Sequence, residues 1–260
     1  MGDTPGTPGR FSVEPLAGIP LVKTGDDLAA LISAALANAN INPVAGDVFV
    51  VAQKIISKAE GRQIPLSEVT PTPQAVTLAE ETEKDPRLVQ LILDESTVVL
   101  RKKPGVLIVR HLSGLVGANA GIDQSNIDHT GGEAALLLPV DADASAARLR
   151  EALEKRFGVH LGVIISDSMN RPWRLGTLAS AIGASGVASL DDYRGGEDLF
   201  GRELKVTLIN RADSLATAAT LVMGETTERI PVALVRGLPP DEVDQPASET
   251  VRPLDEDLFQ

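Results

Sequence analysis

Three carboxylates in polar loops could carry metal chemistry. Asp123, Asp167 and Glu225 are far apart in the sequence, and each follows or lies among small and polar residues. Carboxylate oxygens are the ligands that Mg²⁺ and Mn²⁺ prefer, and two-metal phosphoryl-transfer sites are often assembled from such distant loops. The sequence therefore indicates a divalent-metal site, but spacing alone leaves open whether the three side chains meet.

The segments around these carboxylates favour ligand contacts. The stretch 118–126 is rich in small residues, which let a backbone approach a ligand closely, and it ends at Asn126, whose amide suits a nucleotide. Asp167 follows the apolar run 159–166, and α/β sheets place ligand groups at the C-terminal ends of strands. Both positions are therefore candidates for binding.

Each motif also has a purely structural explanation. The small polar residues of 118–126 could form an Asx-type turn, and Asp167 could cap the turn that follows its strand. Gly224, directly before Glu225, is typical of the residue that ends a helix. These alternatives stay open on the sequence alone.

Basic residues supply candidates for anion binding. Lys54 and Lys58 follow the apolar run 47–52, where closely spaced cations suit a nucleotide phosphate, with Lys58 as the first candidate for contact. Arg171 and Arg174 flank the one Trp of the chain and could meet an anionic substrate in a forked geometry. A solvated charged edge and a surface ion pair are the respective alternatives.

Several other classes of protein are excluded. The chain has no Cys, so a disulfide, a zinc–thiolate site or a Cys nucleophile cannot form. Neither the P-loop pattern nor a dinucleotide-binding glycine motif in a strand-to-helix context occurs, and the GxSxG elbow is absent. The net charge of −12 argues against nucleic acid as a partner.

The ends of the chain differ from its body. Residues 1–10 are rich in Gly, Pro and Thr and predict a disordered leader without the apolar stretch of a secretory signal. No apolar run reaches the roughly 18 residues of a membrane span, so we expect no membrane partner and a cytoplasmic protein. Residues 239–260 carry a net charge of −6 and predict an acidic tail that is dispensable for folding.

Helical and strand patterns alternate in the remaining body, 11–238. The predicted helices are 25–37, 74–93, 144–157 and 212–223, and the predicted strands are 47–52, 98–100, 106–109, 159–166, 204–209 and 231–235. Residues 112–133 show no periodicity, as is typical of functional loops. This alternation favours a mixed α/β or α+β protein, but it does not determine the strand order.

Five of these motifs occur in the same order as in a known family. They are Gly18-Ile19-Pro20-Leu21, Ser57-Lys58-Ala59-Glu60-Gly61-Arg62, Ala118-Asn119-Ala120-Gly121-Ile122-Asp123, Ser166-Asp167 with Arg171-Pro172-Trp173-Arg174, and Met223-Gly224-Glu225. Through them the sequence resembles the coenzyme F420:L-glutamate ligases from about Phe11 to Leu238. No reductase-like half follows, so we expect the standalone form.

The resemblance implies a fold and a reaction. The fold would be the α+β fold of these ligases in an intertwined homodimer. GTP would phosphorylate the terminal carboxylate of the deazaflavin precursor F420-0, and the amine of L-glutamate would attack the acyl phosphate. The implied cofactors are two divalent ions, Mg²⁺ or Mn²⁺, with K⁺ as a further candidate ion.

The resemblance also assigns residues. Asp123 and Asp167 would hold a first metal, Ser168 and Glu225 a second, and Arg171 and Arg174 would join Asp123 and Asp167 in catalysis. The nucleotide would contact Ile19, Pro20, Leu21, Val22, Gln53, Lys54, Lys58, Asn126, Met223, Gly224, Thr226, Thr227 and Glu228.

Three positions depart from the family pattern. Ser168 stands where Thr is usual, Asn170 where Gly is usual, and Glu225 where Gln is common. Ser168 keeps the hydroxyl, whereas Glu225 adds a negative charge. These departures leave open a ligase that adds an amino acid to another carboxylated metabolite. The acidic tail leaves open a non-catalytic nucleotide- or cofactor-binding subunit whose tail docks a reductase partner.

Overall fold

The computed structural model describes residues 10–241 and 243–258, and most of the leader predicted for 1–10 lies outside them. In chain order the elements are β1 (Ser12–Pro15), α1 (Leu28–Asn38), β2 (Val48–Ala52), α2 (Gln53–Ala59), β3 (Gln63–Pro65), α3 (Pro73–Thr82), α4 (Pro86–Asp94), β4 (Ser96–Lys103), β5 (Val106–His111), β6 (Val116–Ala118), β7 (Ala134–Leu136), α5 (Ala142–Phe157), β8 (Gly162–Asn170), β9 (Thr177–Ser185), β10 (Leu190–Asp192), β11 (Leu208–Asn210), α6 (Arg211–Met223) and β12 (Val232–Arg236). Short 3₁₀ turns follow β3 and β6 and lie at 247–250 and 254–256. This mixture of helices and sheets confirms the predicted α+β class.

A five-stranded sheet forms the centre of the fold, in the order β1–β12–β2–β8–β9. β2 and β8 are parallel, and the other neighbouring pairs are antiparallel. The C-terminal ends of β1, β2 and the paired part of β8 therefore meet the N-terminal end of β12 at one edge. Loops from four distant parts of the chain converge there.

Helices cover both faces of this sheet because successive side chains of each strand point to opposite faces and both sets are apolar. Phe49 and Val51 of β2 pack in a core with α1 and α5, whereas Val48 and Val50 pack in a second core with α6. Gly183 of β9 allows α5 to approach closely, since a Cβ there would lie 2.3 Å from the carbonyl oxygen of Ala142. A third core joins α3 and α4 to β5 and β7.

The helix predicted for 74–93 is wrong, because the structure has two helices there. α3 ends at Glu83, which is left-handed (φ 53°), and α4 begins at Pro86 behind the N-cap Asp85. A proline at the first helical position is favourable, whereas inside a continuous helix it would break a hydrogen bond.

Other boundaries also differ from the sequence prediction. Of the strand expected at 204–209, only the short β11 (Leu208–Asn210) forms. The strand expected at 159–166 begins at Gly162 and continues to Asn170. The sequence analysis missed β9, whose Ala, Ser and Gly residues carry little strand preference. It also missed the short helix α2, which starts directly where β2 ends.

The acidic segment after Leu238 packs on the body, contrary to the basis for calling it dispensable. Ala247 is buried, its N–H donates to Asp143, and the Gln245 N–H donates to the Val187 carbonyl. Asp244 accepts from the Gly186 N–H at 2.7 Å. The acidic side chain of Asp244 is thus a hydrogen-bond acceptor for the body, and the charge of the segment alone did not reveal this contact.

No helix within the described ranges has the length and apolar character that crossing a bilayer requires.

Truncation after Leu238 should therefore destabilise the protein. It removes the buried Ala247 and several backbone hydrogen bonds, so we expect a fall in the free energy of unfolding of about 2 kcal/mol or more. Thermal denaturation measures this change. A second truncation that removes only 252–260 keeps the contacts of 244–248 and should cost less, and equal melting temperatures for the full and the shortest chains would contradict the expectation.

Candidate active site

A pocket of about 760 Å³ lies at the edge where the strand ends converge. This volume is typical of small-molecule sites. Its lining comprises 19–23, 52–55, Lys58, Gln63, 126–128, 166–168, Ala179, Thr220, Met223 and 224–231. The pocket thus joins the loop after β1, the start of α2, the middle of β8 and the segment that links α6 to β12.

Asp123 meets the pocket through a lysine. Its backbone is tied to Leu136 by two hydrogen bonds of 3.0 and 2.8 Å, which fix it beside β7. One carboxylate oxygen forms an ion pair with the Lys54 ammonium, at the start of α2. Lys54 lines the pocket, whereas Asp123 does not. Asp123 is therefore connected to the pocket through the Lys54 ammonium.

Asp167 carries the largest electrostatic perturbation in the pocket. Burial raises the pKa of Asp167 to about 7, and the negative charge of Asp123 adds to the shift, while Lys54 opposes it. A carboxylate that is removed from water favours its neutral form, and a second negative charge nearby adds to this effect. Asp123 and Asp167 are therefore close enough for their charges to interact.

Ser168 and Glu225 connect the two sides of the pocket. The Ser168 hydroxyl donates to the Glu225 carboxylate, which joins β8 to the segment after α6. That segment turns at Gly224 (φ 73°), where a Cβ would lie 2.3 Å from the Glu228 side chain. Glu228 in turn accepts from the Thr226 N–H at 2.8 Å, so the turn is held by its own hydrogen bonds.

Lys58 and Asn126 close the pocket on the other side. The Lys58 ammonium donates to the Asn126 carbonyl at 2.6 Å, and the Asn126 amide donates to the Thr226 carbonyl at 3.0 Å. Burial and the nearby Lys54 charge lower the pKa of Lys58. Two close ammonium groups in a partly buried site favour the binding of an anion.

The structure brings most of the predicted site residues together. Around the pocket lie Ile19, Pro20, Leu21, Val22, Gln53, Lys54, Lys58, Asn126, Asp167, Ser168, Met223, Gly224, Glu225, Thr226, Thr227 and Glu228. Arg171 and Arg174 do not line it, because they lie at the tip of the β8–β9 hairpin beyond Asn170. Their catalytic assignment stays a prediction.

Sequence reasoning missed part of the lining. Gln63, Asp128 and Thr220 also face the pocket, and Gln63 donates to the Asp128 carbonyl at 2.7 Å. None of the three lies in a distinctive motif. Their place at the pocket follows from how β3, the loop after Asn126 and α6 pack around it.

The donor atoms of these residues suit a divalent cation. Asp123, Asp167, Ser168 and Glu225 offer only oxygen donors, as Mg²⁺ and Mn²⁺ prefer, and the Asp167 carboxylate is removed from water beside the negative charge of Asp123. Within the described residues, however, no group of three or more acidic or histidine side chains is placed so that it could hold a metal ion. Lys54 and Ser168 instead hold two of the carboxylates.

Carboxylates and lysines around one pocket at a sheet edge define a site for an anionic small molecule, as in enzymes of phosphoryl and acyl transfer. The family model described as F420-0:Gamma-glutamyl ligase matches residues 18–237. The chain is 44% identical to the coenzyme F420:L-glutamate ligase of Methanopyrus kandleri over all of both chains. It is 42% identical to that of Methanothermobacter thermautotrophicus, over 93% of this chain and 96% of the relative. It is 44% identical to that of Archaeoglobus fulgidus, over 88% of each.

The chain therefore belongs to the F420-0:gamma-glutamyl ligase family and is an amide-bond-forming ligase.

The raised pKa of Asp167 predicts a pH-dependent stability. The folded protein holds the proton up to about pH 7, whereas the unfolded chain loses it near 3.8, so stability falls as the pH rises between these values. Asp167→Asn removes this cost. In chelator-treated protein, the stability of the variant relative to the wild type should rise by about 2 kcal/mol from pH 4 to pH 8, with allowance for solvent screening. Denaturant unfolding measures it, and a difference independent of pH would contradict the assignment.

Proposed function

We propose that this protein joins L-glutamate to the terminal carboxylate of F420-0, with GTP as the phosphoryl donor. The relatives named coenzyme F420:L-glutamate ligase support the acceptor and the amino acid. The observation that carries the proposal is the ion pair of Asp123 with Lys54 at a pocket that Lys54, Lys58 and Asp167 line. This arrangement suits the transfer of a phosphoryl group to a carboxylate.

The nucleotide is proposed to lie along the lysines. Lys58 and Lys54 offer positive charge to its phosphates, and the loop 19–23 with the segment 226–229 supplies the walls for its base and sugar. Ile19 and Val22 are buried, so this wall is firmly seated on the core. The nucleotide would thus be held between rigid elements.

Asp123 and Asp167 are proposed to hold one divalent ion, Mg²⁺ or Mn²⁺, and Ser168 and Glu225 a second. Such ions neutralise the charge of the phosphates and hold the donor and acceptor oxygens in line. K⁺ remains a further candidate ion. The role of the protein is to position these oxygens, and positioning is most of what phosphoryl transfer requires of a protein.

The reaction proposed for this site has two steps. A carboxylate oxygen of F420-0 attacks the γ-phosphorus, GDP leaves, and an acyl phosphate forms. The glutamate amine then attacks the acyl carbon, and phosphate leaves with an amide bond formed. The acyl phosphate must form first because the amine displaces phosphate from it, and a site that limits the access of water would protect this intermediate from hydrolysis.

A ligase for another carboxylated metabolite is the second candidate. The departures at Ser168, Asn170 and Glu225 motivate it, and the first and last of these residues line the pocket. Turnover with F420-0 and glutamate compared with other carboxylates separates the two candidates. A nucleotide-binding subunit without activity would consume no GTP in either assay.

Replacement of either central carboxylate should abolish turnover. Asp123→Ala and Asp167→Ala each remove a charge that offsets the phosphates, so we expect losses on the order of 10³-fold in GTP turnover with F420-0 and glutamate. Assays across a Mg²⁺ and Mn²⁺ titration measure this. Wild-type rates and metal dependence in both variants would show that the two-metal proposal is wrong.

Glu225→Gln is the matched control for these replacements. It keeps an oxygen donor at the same position and removes only the added charge, so most activity should remain, with a shift in metal affinity. The Ser168 hydroxyl can still donate to the amide oxygen of Gln. A loss as large as that of Asp123→Ala would assign Glu225 the same weight as the central pair.

A homodimer is also proposed, in line with the resemblance. Two hairpins expose apolar side chains: Leu175 at the β8–β9 tip is fully exposed, and Leu199 and Phe200 between β10 and β11 are 98% and 94% exposed. Val206, in the same segment as Leu199, is 86% exposed. Several large exposed apolar residues in one segment are typical of a contact surface.

Sedimentation at micromolar concentration should therefore detect a dimer of the 27.3 kDa chain. The double replacement Leu199→Ser with Phe200→Ser should shift it to a monomer, because it removes the apolar contact. Leu221→Ser is the matched control, since Leu221 is 87% exposed and lies on α6, outside both hairpin loops. A monomeric wild type would contradict the proposal.

A further inference from the structure

Lys54 occupies a special place in the pocket, and we propose that its ammonium is a built-in cation that the metal ion displaces from Asp123. Lys54 then becomes free to contact the nucleotide phosphates. Metal binding and nucleotide binding would thereby be coupled through one side chain. This inference rests on the metal site of the proposed function and adds to it the order in which the two ligands are received.

The position of Lys54 is set by the backbone. Lys54 is the second residue of α2, which begins where β2 ends, so its side chain starts at the same sheet edge as Asp167 of β8. Its ammonium contacts the Asp123 carboxylate, and the two side chains are 29% and 28% exposed. Lys54 is thus close enough to the carboxylates to neutralise them and open enough to move.

Lys54 and a divalent ion compete for the same oxygen atoms. A divalent ion bound by Asp123 and Asp167 would lie close to the Lys54 ammonium, and the two positive charges would repel each other. The ion pair with Lys54 is the main side-chain contact of Asp123, since its second oxygen accepts only a long hydrogen bond of 3.4 Å from Ser125. Departure of Lys54 from Asp123 therefore removes the charge that opposes a metal ion there.

The released ammonium has a place to go. Lys54 lines the same pocket as Lys58, and the two are close enough for their charges to interact. Two unbalanced ammonium groups disfavour each other until an anion binds between them. The phosphates of a nucleotide would supply that anion, so the bound metal raises the affinity for the nucleotide by releasing Lys54.

The test measures Mn²⁺ binding without nucleotide, by electron paramagnetic resonance or calorimetry on chelator-treated full-length protein. Lys54→Met should tighten Mn²⁺ binding about five- to tenfold, because the competing charge is gone; this is the size expected for a partly buried ion pair. Lys54→Arg keeps the charge and should bind Mn²⁺ as the wild type does. Circular dichroism and thermal denaturation verify that each variant is folded.

Lys58→Met is the matched control. It removes a charge from the same helix, but Lys58 donates to the Asn126 carbonyl and not to Asp123, so its effect should be smaller than that of Lys54→Met. Equal effects would mean that only the general positive field matters, and the inference would be overturned. Unchanged or weaker Mn²⁺ binding in Lys54→Met would overturn it as well.

Two further measurements separate this inference from the proposed function. Asp123→Asn should weaken Mn²⁺ binding in the wild-type background; if it does not, the metal assignment itself fails, and the inference with it. If Asp123→Asn weakens binding but Lys54→Met has no effect, only the inference fails. A non-hydrolysable GTP analogue should raise Mn²⁺ affinity by a smaller factor in Lys54→Met than in the wild type, because coupling is reciprocal.

Discussion

Two carboxylates held close together at the edge of a sheet impose the main electrostatic constraint on this fold. Asp123 and Asp167 come from distant segments, and burial with mutual repulsion raises the pKa of Asp167 to about 7. Such an arrangement is unfavourable for folding unless positive charge is placed beside it. Lys54 provides that charge, and its position depends on α2 beginning directly at the end of β2. The strand order and the start of one short helix are therefore tied to the same electrostatic requirement.

The local charge of the pocket differs from that of the whole chain. The net charge is −12, and part of the excess lies in the segment after Leu238, where Asp241 and Asp244 accept hydrogen bonds from the body. At the pocket, Lys54 and Lys58 stand among carboxylates that a divalent cation could neutralise. An acidic protein can thus bind an anionic nucleotide, because the field at the site is set by neighbours within a few ångströms and is weakly affected by screened charges far away.

The sequence was sufficient to predict the class of fold and the helices whose apolar residues recur at helical spacing. α1, α5 and α6 follow their apolar spacing, and in the structure their N-caps Asp27, Asp141 and Asn210 form the hydrogen bonds typical of that position. The membership of the ligase family and the α+β class were also predicted correctly, and most of the residues that the sequence suggested for the site lie around one pocket. The sequence was informative wherever a segment shows a helical periodicity or a short motif that does not depend on distant residues.

What the sequence could not predict depends on contacts between distant segments. β9 has the small residues of a close-packed strand and no β-branched run, so only its pairing with β8 defines it. The ion pair of Lys54 with Asp123 joins residues 69 positions apart, and either one alone resembles an ordinary surface charge. Arg171 and Arg174 were placed at the site by motif, yet the strand β8 continues past Asp167 to Asn170 and carries them away from the pocket. In each case strand pairing determined the position.

The hydrogen bonds around Asn126 explain how loops from so many segments could act as one site. Lys58 of α2 donates to the Asn126 carbonyl, and the Asn126 amide donates to Thr226, next to Glu225. A loop that is held by two such hydrogen bonds loses its conformational freedom when the protein folds and not when a ligand binds. The positions of the cations and of the carboxylates are thereby fixed relative to each other before any substrate arrives. Lys54 is the exception in this arrangement, because an ion pair with two partly exposed partners can exchange one partner for another while the surrounding backbone stays in place.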